Sequence, residues 1–430
     1  MFSPRARYRF YGTPHNYVTT ARHLLGRTHE DWRSTVEREV EQYVGVEHAI
    51  CMPQGRYGLY LILKHLLSGA RNEVVMSPYT IHDVVNMVLC AGGRPVFADI
   101  VPATCNIDPD RAAELIGPRT GAVLITHLHG LAADVDRFEQ ICRAANVPLL
   151  EDAAQAFGVR VGDRLLGSVG HAAIYSFGRA KNVNAFYGGM VVTHDATLAS
   201  AIRAELASLP EEEPVKLAKR VAHCAVGDLM TAPAVFAPLT FRLFRYGAVR
   251  GVASVNRIVQ TEANPARKDH IPEHFHRQMS MLQARLIHEQ LPGVEEHNRA
   301  RLEIARIYHE GLQGLPGIGL PPWRDDGSHI YLQYPVQLAD RWDYVRYMMQ
   351  HGRDLAIQHM GSAAELDIFQ DVTRPCPQAR AVADSLVLLP TYPRYGQADA
   401  RANVEVTRAY VRERRLESAW STSTTRIATA

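Results

Sequence analysis

Lysine is almost missing from this chain. Of 47 lysine and arginine residues among 430, only Lys64, Lys181, Lys216, Lys219 and Lys268 are lysine, and 47 less these five leaves 42 arginines. A guanidinium, with a pKa above about 12, does not lose its proton to attack a carbonyl, whereas a lysine amine does. Each retained lysine is therefore a candidate for chemistry that needs a free amine. An excess of one charge is also lacking: the formal net charge is +2, with arginines scattered among acids, so no nucleic-acid surface is expected. The six cysteines, Cys51, Cys90, Cys105, Cys142, Cys224 and Cys376, show no CxxC spacing. Most stand in apolar runs, which points to reduced thiols in a cytoplasmic protein and away from thiolate metal sites. His127 and His129, two residues apart on one predicted strand, lack a third metal ligand at suitable spacing. The segment Leu229 to Phe241 has 13 residues without a charge and two prolines, short of the roughly 20 that a spanning helix needs. The opening "MFSPRARYRFYGTPHNY" has no continuous apolar segment of the signal-peptide kind, so export is not expected.

What is present is an ordinary globular balance, 47% hydrophobic and 21% charged. A chain of 430 residues suggests two domains. From about 35 to 195, short β-branched runs alternate with helical stretches. "EVVMS" (73–77), "RPVFADI" (94–100), "GAVLITHL" (121–128), "VPLLED" (147–152), "AAIYSF" (172–177) and "GMVVTHD" (189–195) read as strands, with helices at Ile81 to Ala91 and Val135 to Ala145. Such alternation predicts an α/β fold, a mostly parallel sheet covered on both faces, with ligands at the carboxyl ends of its strands. Residues 278–313 carry long helical periodicity. The strand 329–338 and helices at 342–352 and 401–415 then suggest a smaller α+β carboxyl-terminal domain.

Several reactive groups fall at those strand ends. Asp152 closes "VPLLED", with Gln155 three residues on; Ser176 ends the next strand, and Lys181 follows in the loop. A carboxylate at a buried edge needs a cationic partner, and the protonated ring nitrogen of pyridoxal 5′-phosphate is one that fits. Gly55 and Arg56 stand just before an apolar helix, where backbone N–H groups and a guanidinium suit a phosphate. Taken singly, Asp152 reads equally well as a helix cap, Gly55 as a tight turn and Lys181 as a solvated loop residue. Taken together they supply what a Schiff-base cofactor with a phosphate tail requires.

The blocks "EVVMSPYTIHDVVNMVLCAGGRPVFADIVPATCNIDPD" (73–110), "HLHGLAADVDRF" (127–138), "LLEDAAQAFGVRVGDRLLGSVGHAAIYSFGRAKN" (149–182) and "MSMLQARLIHEQL" (279–291) resemble, in order and spacing, the DegT/StrS aminotransferases. The resemblance runs from about 35 to 415. It implies fold type I: a large domain with a mostly parallel seven-stranded sheet between helices, and a smaller α+β carboxyl-terminal domain. It divides the chain into an arm (1–34), a large cofactor-binding domain (35–275) with an extended insertion (about 205–270), a linking helix with the small domain (276–415), and a tail (416–430). It implies pyridoxal 5′-phosphate and a homodimer with shared active sites. The implied reaction moves nitrogen from an amino acid, glutamate or glutamine, to a keto sugar, most often nucleotide-linked. By motif position Lys181 matches the Schiff-base lysine, Asp152 the partner of the ring nitrogen, Gln155 a residue near the ring hydroxyl, and Ser176 a phosphate ligand.

The departures concern the grip on the cofactor. The small-Gly-Thr phosphate turn is here Gln54, Gly55, Arg56. The stacking aromatic aligns with Ile81, leaving His82 or Tyr79 as replacements. The Asn-Tyr-Arg segment that reaches the neighbouring subunit matches His276, Arg277 and Gln278, and the connection from Lys181 to it is unusually long. Two other outcomes stay open: a cofactor enzyme that dehydrates a sugar or aminates a non-sugar ketone or cyclitol, and a non-catalytic binding protein on the same fold. For residues 228–256, arginines interleaved with Phe and Leu suggest either a helical insertion packing on the protein or an amphipathic element meeting a membrane.

Overall fold

A computed structural model describes residues 4–9, 14–26, 30–250, 265–357 and 360–416. The expected tail beyond Leu416, and the part of the 205–270 insertion at 251–264, lie outside the described residues. Seven strands form the main sheet: β1 (His48–Met52), β2 (Glu73–Met76), β3 (Arg94–Phe97), β4 (Thr120–Thr126), β5 (Leu149–Asp152), β8 (Ala172–Ser176) and β9 (Gly189–Thr193), with β6 (Arg160–Val161) and β7 (Arg164–Leu165) making a separate two-stranded hairpin. The order is β1-β9-β8-β5-β4-β2-β3. Neighbours from β3 through β8 run parallel, and β9 is antiparallel to both β8 and β1.

Alternation of side chains between two buried layers explains why apolar residues fill the central positions of these runs. Val123 and Ile125 of β4 enter one buried layer while Ala122 and Leu124 enter the other. Tyr175 and Ile174 of β8 divide in the same way. The helices that fill the layers include Gly55–Leu66, His82–Cys90 and Val135–Ala145. Because Thr126 pairs with Asp152 and Asp152 with Ile174, the carboxyl ends of β4, β5 and β8 share one edge.

Several strands escape the sequence pattern: Arg160–Val161, Arg164–Leu165 and Ala356–Ile357 are only two residues long, and two longer strands are hidden by their surroundings. His48–Met52 holds only four apolar residues between a helix and the turn at Gly55, and Leu386–Leu389 follows directly on a helix. The second of these is β12, the centre of a three-stranded antiparallel sheet between β10 (Tyr334–Gln337) and β11 (Ala356–Ile357). The helices Val294–Leu312, Arg341–Gln350 and Gln397–Glu413 cover it, with Tyr308, Tyr334, Tyr344, Val387 and Val411 in its core. The periodicity over 278–313 resolves into Met281–Gln290, a 3-10 turn Leu291–Gly293, and Val294–Leu312. Pro292 lacks the N–H that a continuous helix would use there. Ser280 and Gln283 form a reciprocal capping box that fixes where the first piece begins.

Candidate active site

Lys181 sits in the loop from β8 to β9, and the loop is tied at both ends. Phe177 N–H donates to Gly188 O at 3.0 Å, Ala185 N–H to Phe177 O at 2.9 Å, and Lys181 N–H to Gly178 O at 3.1 Å. The buried amide of Asn182 donates to Phe157 O at 2.7 Å, anchoring the residue next to the lysine. Desolvation pushes the Lys181 ammonium down to a pKa of about 8; Asp152 opposes that fall, and Arg56 deepens it. The sequence-predicted acid, amine and guanidinium therefore share one electrostatic neighbourhood. Asp152 is buried, and burial raises its carboxyl pKa against the pull of Ala154 N–H, Lys181 and His127. The Ala154 N–H donates to its Oδ1 at 3.0 Å.

The helix start predicted to hold an anion is packed around glycine. Gln54 is extended (φ −156°, ψ 146°) and offers no side-chain cap to the helix Gly55–Leu66. A Cβ on Gly55 would lie 2.6 Å from Tyr175 O and 3.6 Å from Ser176 Cα. A Cβ on Gly189 would lie 2.2 Å from Gly55 N. The helix start is thus pressed against the ends of β8 and β9, beside Ser176, where N–H groups at a helix terminus favour an anion. Arg56 does not stand free in this cradle. It forms an ion pair with Oδ2 of Asp83 while Lys268 takes Oδ1. Both cations lie 5.9 Å from the Phe275 ring centre. A cavity of about 310 Å³ opens here, with Gln54, Arg56, Asp83, Tyr187, Arg220 and Lys268 among its walls. Asp83, Arg220 and Lys268 line this cavity with Arg56, though no sequence period links them to it.

The histidine pair divides into two roles. His127 is fully buried, with Nε2 3.1 Å from Glu151 Oε2 and Nδ1 accepting from Ala133 N–H at 3.1 Å, so both ring nitrogens are used within the fold. His129 is different. Its backbone is left-handed (φ 57°) and its N–H donates to Gln155 Oε1 at 2.8 Å. Its ring is buried with no hydrogen-bond partner on either nitrogen. Burial, reinforced by Lys181, holds its pKa down to about 4, so the ring is neutral. Gln155, predicted to touch a cofactor, presents its carbonyl oxygen to this loop.

The profile of the "DegT/DnrJ/EryC1/StrS aminotransferase family" matches residues 26–222 and 252–407. The chain belongs to this family. The spore coat polysaccharide biosynthesis protein SpsC of Bacillus subtilis is 29% identical over 305 residues, 71% of this chain and 68% of SpsC. The dTDP-3-amino-3,4,6-trideoxy-alpha-D-glucose transaminase of Micromonospora megalomicea is 25% identical over 382 residues, 86% of each chain. In fold, the chain superposes on PseC of Helicobacter pylori, an aminotransferase of pseudoaminic acid biosynthesis, with a TM-score of 0.74 and 18% identity, over 95% of this chain and 100% of PseC.

DegT/StrS aminotransferases depend on pyridoxal 5′-phosphate, and the residues present fit it. Gly55 and Gly189 let the helix start pack directly on the ends of β8 and β9, where any Cβ would intrude on backbone. Lys181 has a depressed pKa beside the Asp152 carboxylate. His129 keeps two unpartnered ring nitrogens beside the same lysine. Of the two candidate replacements for the stacking aromatic, His82 has Nε2 3.6 Å from Asp83 Oδ1, at the Arg56 cluster. Tyr79 is fully buried beside Cys105 and Arg341 and bridges to Ser362, facing the carboxyl-terminal part of the chain. The segment matching the partner-reaching motif packs on its own chain: Gln278 N–H donates to Pro210 O at 2.9 Å and Arg277 lies 3.3 Å from Glu213.

The Lys181 environment of this aminotransferase makes a signed prediction. Only the neutral amine attacks an aldehyde, so capture of pyridoxal by cofactor-free protein should speed up with pH, with a midpoint near 8. Asp152→Asn removes the charge that holds the ammonium, and the midpoint falls. Arg56→Met removes an opposing cation, and the midpoint rises. Stopped-flow absorbance across pH measures all three.

Proposed function

We propose that this aminotransferase transfers an amino group from glutamate or glutamine to a keto sugar carried on a nucleotide. The observation that carries the reading is the Lys181 amine, lowered to about 8, beside the buried Asp152 carboxylate at the carboxyl edge of the sheet. The relative that acts on a dTDP-linked sugar, similar over 86% of both chains, supports the nucleotide-linked acceptor.

Pyridoxal phosphate supplies, when bound, an electron sink for the carbon that gives or receives nitrogen. In this reading Lys181 is the catalytic residue: its Nζ would hold the cofactor covalently and, when free and neutral, would take the proton from the donor Cα and return one to the acceptor carbon. Asp152 would keep the ring nitrogen protonated, and Ala154 N–H fixes the carboxylate's direction. Gly55, Arg56 and Ser176 would hold the phosphate, and His82, whose Nε2 lies 3.6 Å from Asp83 Oδ1, would contribute from the Arg56 cluster. Gln155 positions the His129 loop, as its hydrogen bond to that backbone indicates. The enzyme works as a homodimer with shared sites. The six free cysteines and a nucleotide-linked substrate accord with a cytoplasmic setting.

Incubation with glutamate and a dTDP-linked keto sugar tests the assignment. Mass spectrometry should show 2-oxoglutarate and amino sugar appearing in equal amounts. Loss of water from the sugar with no keto acid released would replace transamination by dehydration, and failure to bind pyridoxal phosphate at all would leave a binding protein.

A further inference from the structure

The helices after the sheet domain carry an outer face unlike the rest of the surface. Pro214–Thr231 and Pro233–Arg250 meet at a bend of 59°, and no single helix among the described residues is long and apolar enough to cross a membrane. The inner face of the pair is anchored: Leu217, Val221 and Cys224 enter one buried cluster, Phe236 and Phe241 another. The outer face is bare. Of the eight large apolar side chains exposed among the described residues, six lie here, including Leu229 and Leu239 at 60% and Tyr246 at 58%.

Charge on this face has one sign. Between Pro214 and Arg250 the one acid is Asp228, and it is buried, accepting a hydrogen bond from the Tyr17 hydroxyl. Lys216, Lys219, Arg242, Arg245 and Arg250 are all exposed. On the last helix Arg242, Leu243, Arg245, Tyr246 and Arg250 are outward, so apolar groups and guanidinium groups share one stripe. The family profile passes over most of this element, since residues 223–251, which carry Leu229, Leu239, Leu243, Tyr246 and the three arginines, fall between its two matched stretches. An element added to the common fold does not owe its apolar face to the common core or to packing that all members share.

We infer that the bent pair is an interfacial element that seats this aminotransferase on an anionic lipid surface. Leu229, Leu239, Leu243 and Tyr246 enter the headgroup boundary, and the arginines lie along it with their stems in apolar contact and their heads on lipid phosphates. A membrane fits this chemistry better than a second copy of the chain, because an acid-free basic stripe repels its own image while a phosphate plane attracts it. The bend and the two prolines, Pro233 and Pro238, suit an element lying in the surface rather than one passing through it.

Vesicle flotation with the full-length, cofactor-loaded enzyme tests this. The enzyme should float with phosphatidylcholine vesicles containing phosphatidylglycerol and stay down with phosphatidylcholine alone, and high salt should weaken the binding. The variant L229S/L239S/L243S/Y246S and, separately, R242E/R245E/R250E should each lose about a hundredfold in partitioning. Both should keep wild-type turnover and thermal midpoint. Wild type that fails to float with either vesicle overturns the inference, as does an apolar variant that floats like wild type. Loss of self-association in the apolar variant, seen by light scattering, would instead assign the face to a second copy. Turnover is measured alongside, so failure of the lipid inference leaves the transaminase assignment standing.

Discussion

Replacing Lys181 by alanine is expected to lower transamination by at least about 10³-fold, because the chain would lose both its covalent hold on the cofactor and the base that moves the proton. Lys181→Arg should lose as much. Its charge is kept, but a guanidinium does not become neutral near pH 8 and so neither attacks a carbonyl nor accepts a proton. The remaining lysines offer no substitute. Lys64, Lys216 and Lys268 each pair with a carboxylate, Glu205, Glu213 and Asp83 respectively, and Lys219 is exposed on a helix. Borohydride reduction followed by peptide mass mapping should find cofactor mass on the Lys181 peptide of wild type and on no peptide of either variant. Full turnover by the alanine variant would remove Lys181 from the mechanism.

The parts of this site that could be read from sequence are those whose signals are local. Asp152 closes the short strand run that begins at Val147, and such runs between helices are strands of a parallel sheet, so its place at the ligand-binding edge followed from position. Lys181 stood out against an arginine-rich background. Gly55 preceded an apolar helix, and the turn there proves so tight that a Cβ would meet Tyr175 O at 2.6 Å. What was hidden depends on contacts between distant segments. Asp83 is 27 residues from Arg56 and 185 from Lys268, yet it joins the two. His127 and His129 stood two residues apart with no third metal ligand at suitable spacing and no role assigned. The His129 backbone is left-handed and held by Gln155, and its buried ring feels the Lys181 charge, while His127 satisfies Glu151. No periodicity encodes that difference, although the Gly130 that follows, itself at φ 80°, marks a special turn. β1 went unseen for a related reason: its pairing partner, β9, lies more than a hundred residues downstream.

Gly189→Ala is expected to be the most damaging methyl group in the protein. In register, Gly189 stands opposite Ser176 on β8 and Met52 on β1, at the place where the chain leaves β1 and turns into the helix Gly55–Leu66. Its added Cβ would lie 2.2 Å from Gly55 N, 2.4 Å from Gly55 Cα and 2.7 Å from Tyr175 O. These are all backbone atoms, so no rotamer change relieves the clash and the helix start must move off the sheet. Overpacking of this kind costs about 1–3 kcal/mol of stability. The larger effect falls on function, because a displacement of about 1 Å between the phosphate cradle and Lys181 costs roughly 10²-fold in rate. Calorimetry should show a lower melting temperature, and equilibrium dialysis a weaker hold on pyridoxal phosphate, with free pyridoxal, which lacks the phosphate, little affected. Gly117→Ala is the control, having nothing within 4 Å of its added Cβ, and should stay within about 0.5 kcal/mol of wild type. If Gly189→Ala binds the cofactor as wild type does, the phosphate does not rest on the Gly55 helix start, and the cationic cavity around Arg56, Lys268 and Arg220 becomes the place to look for it.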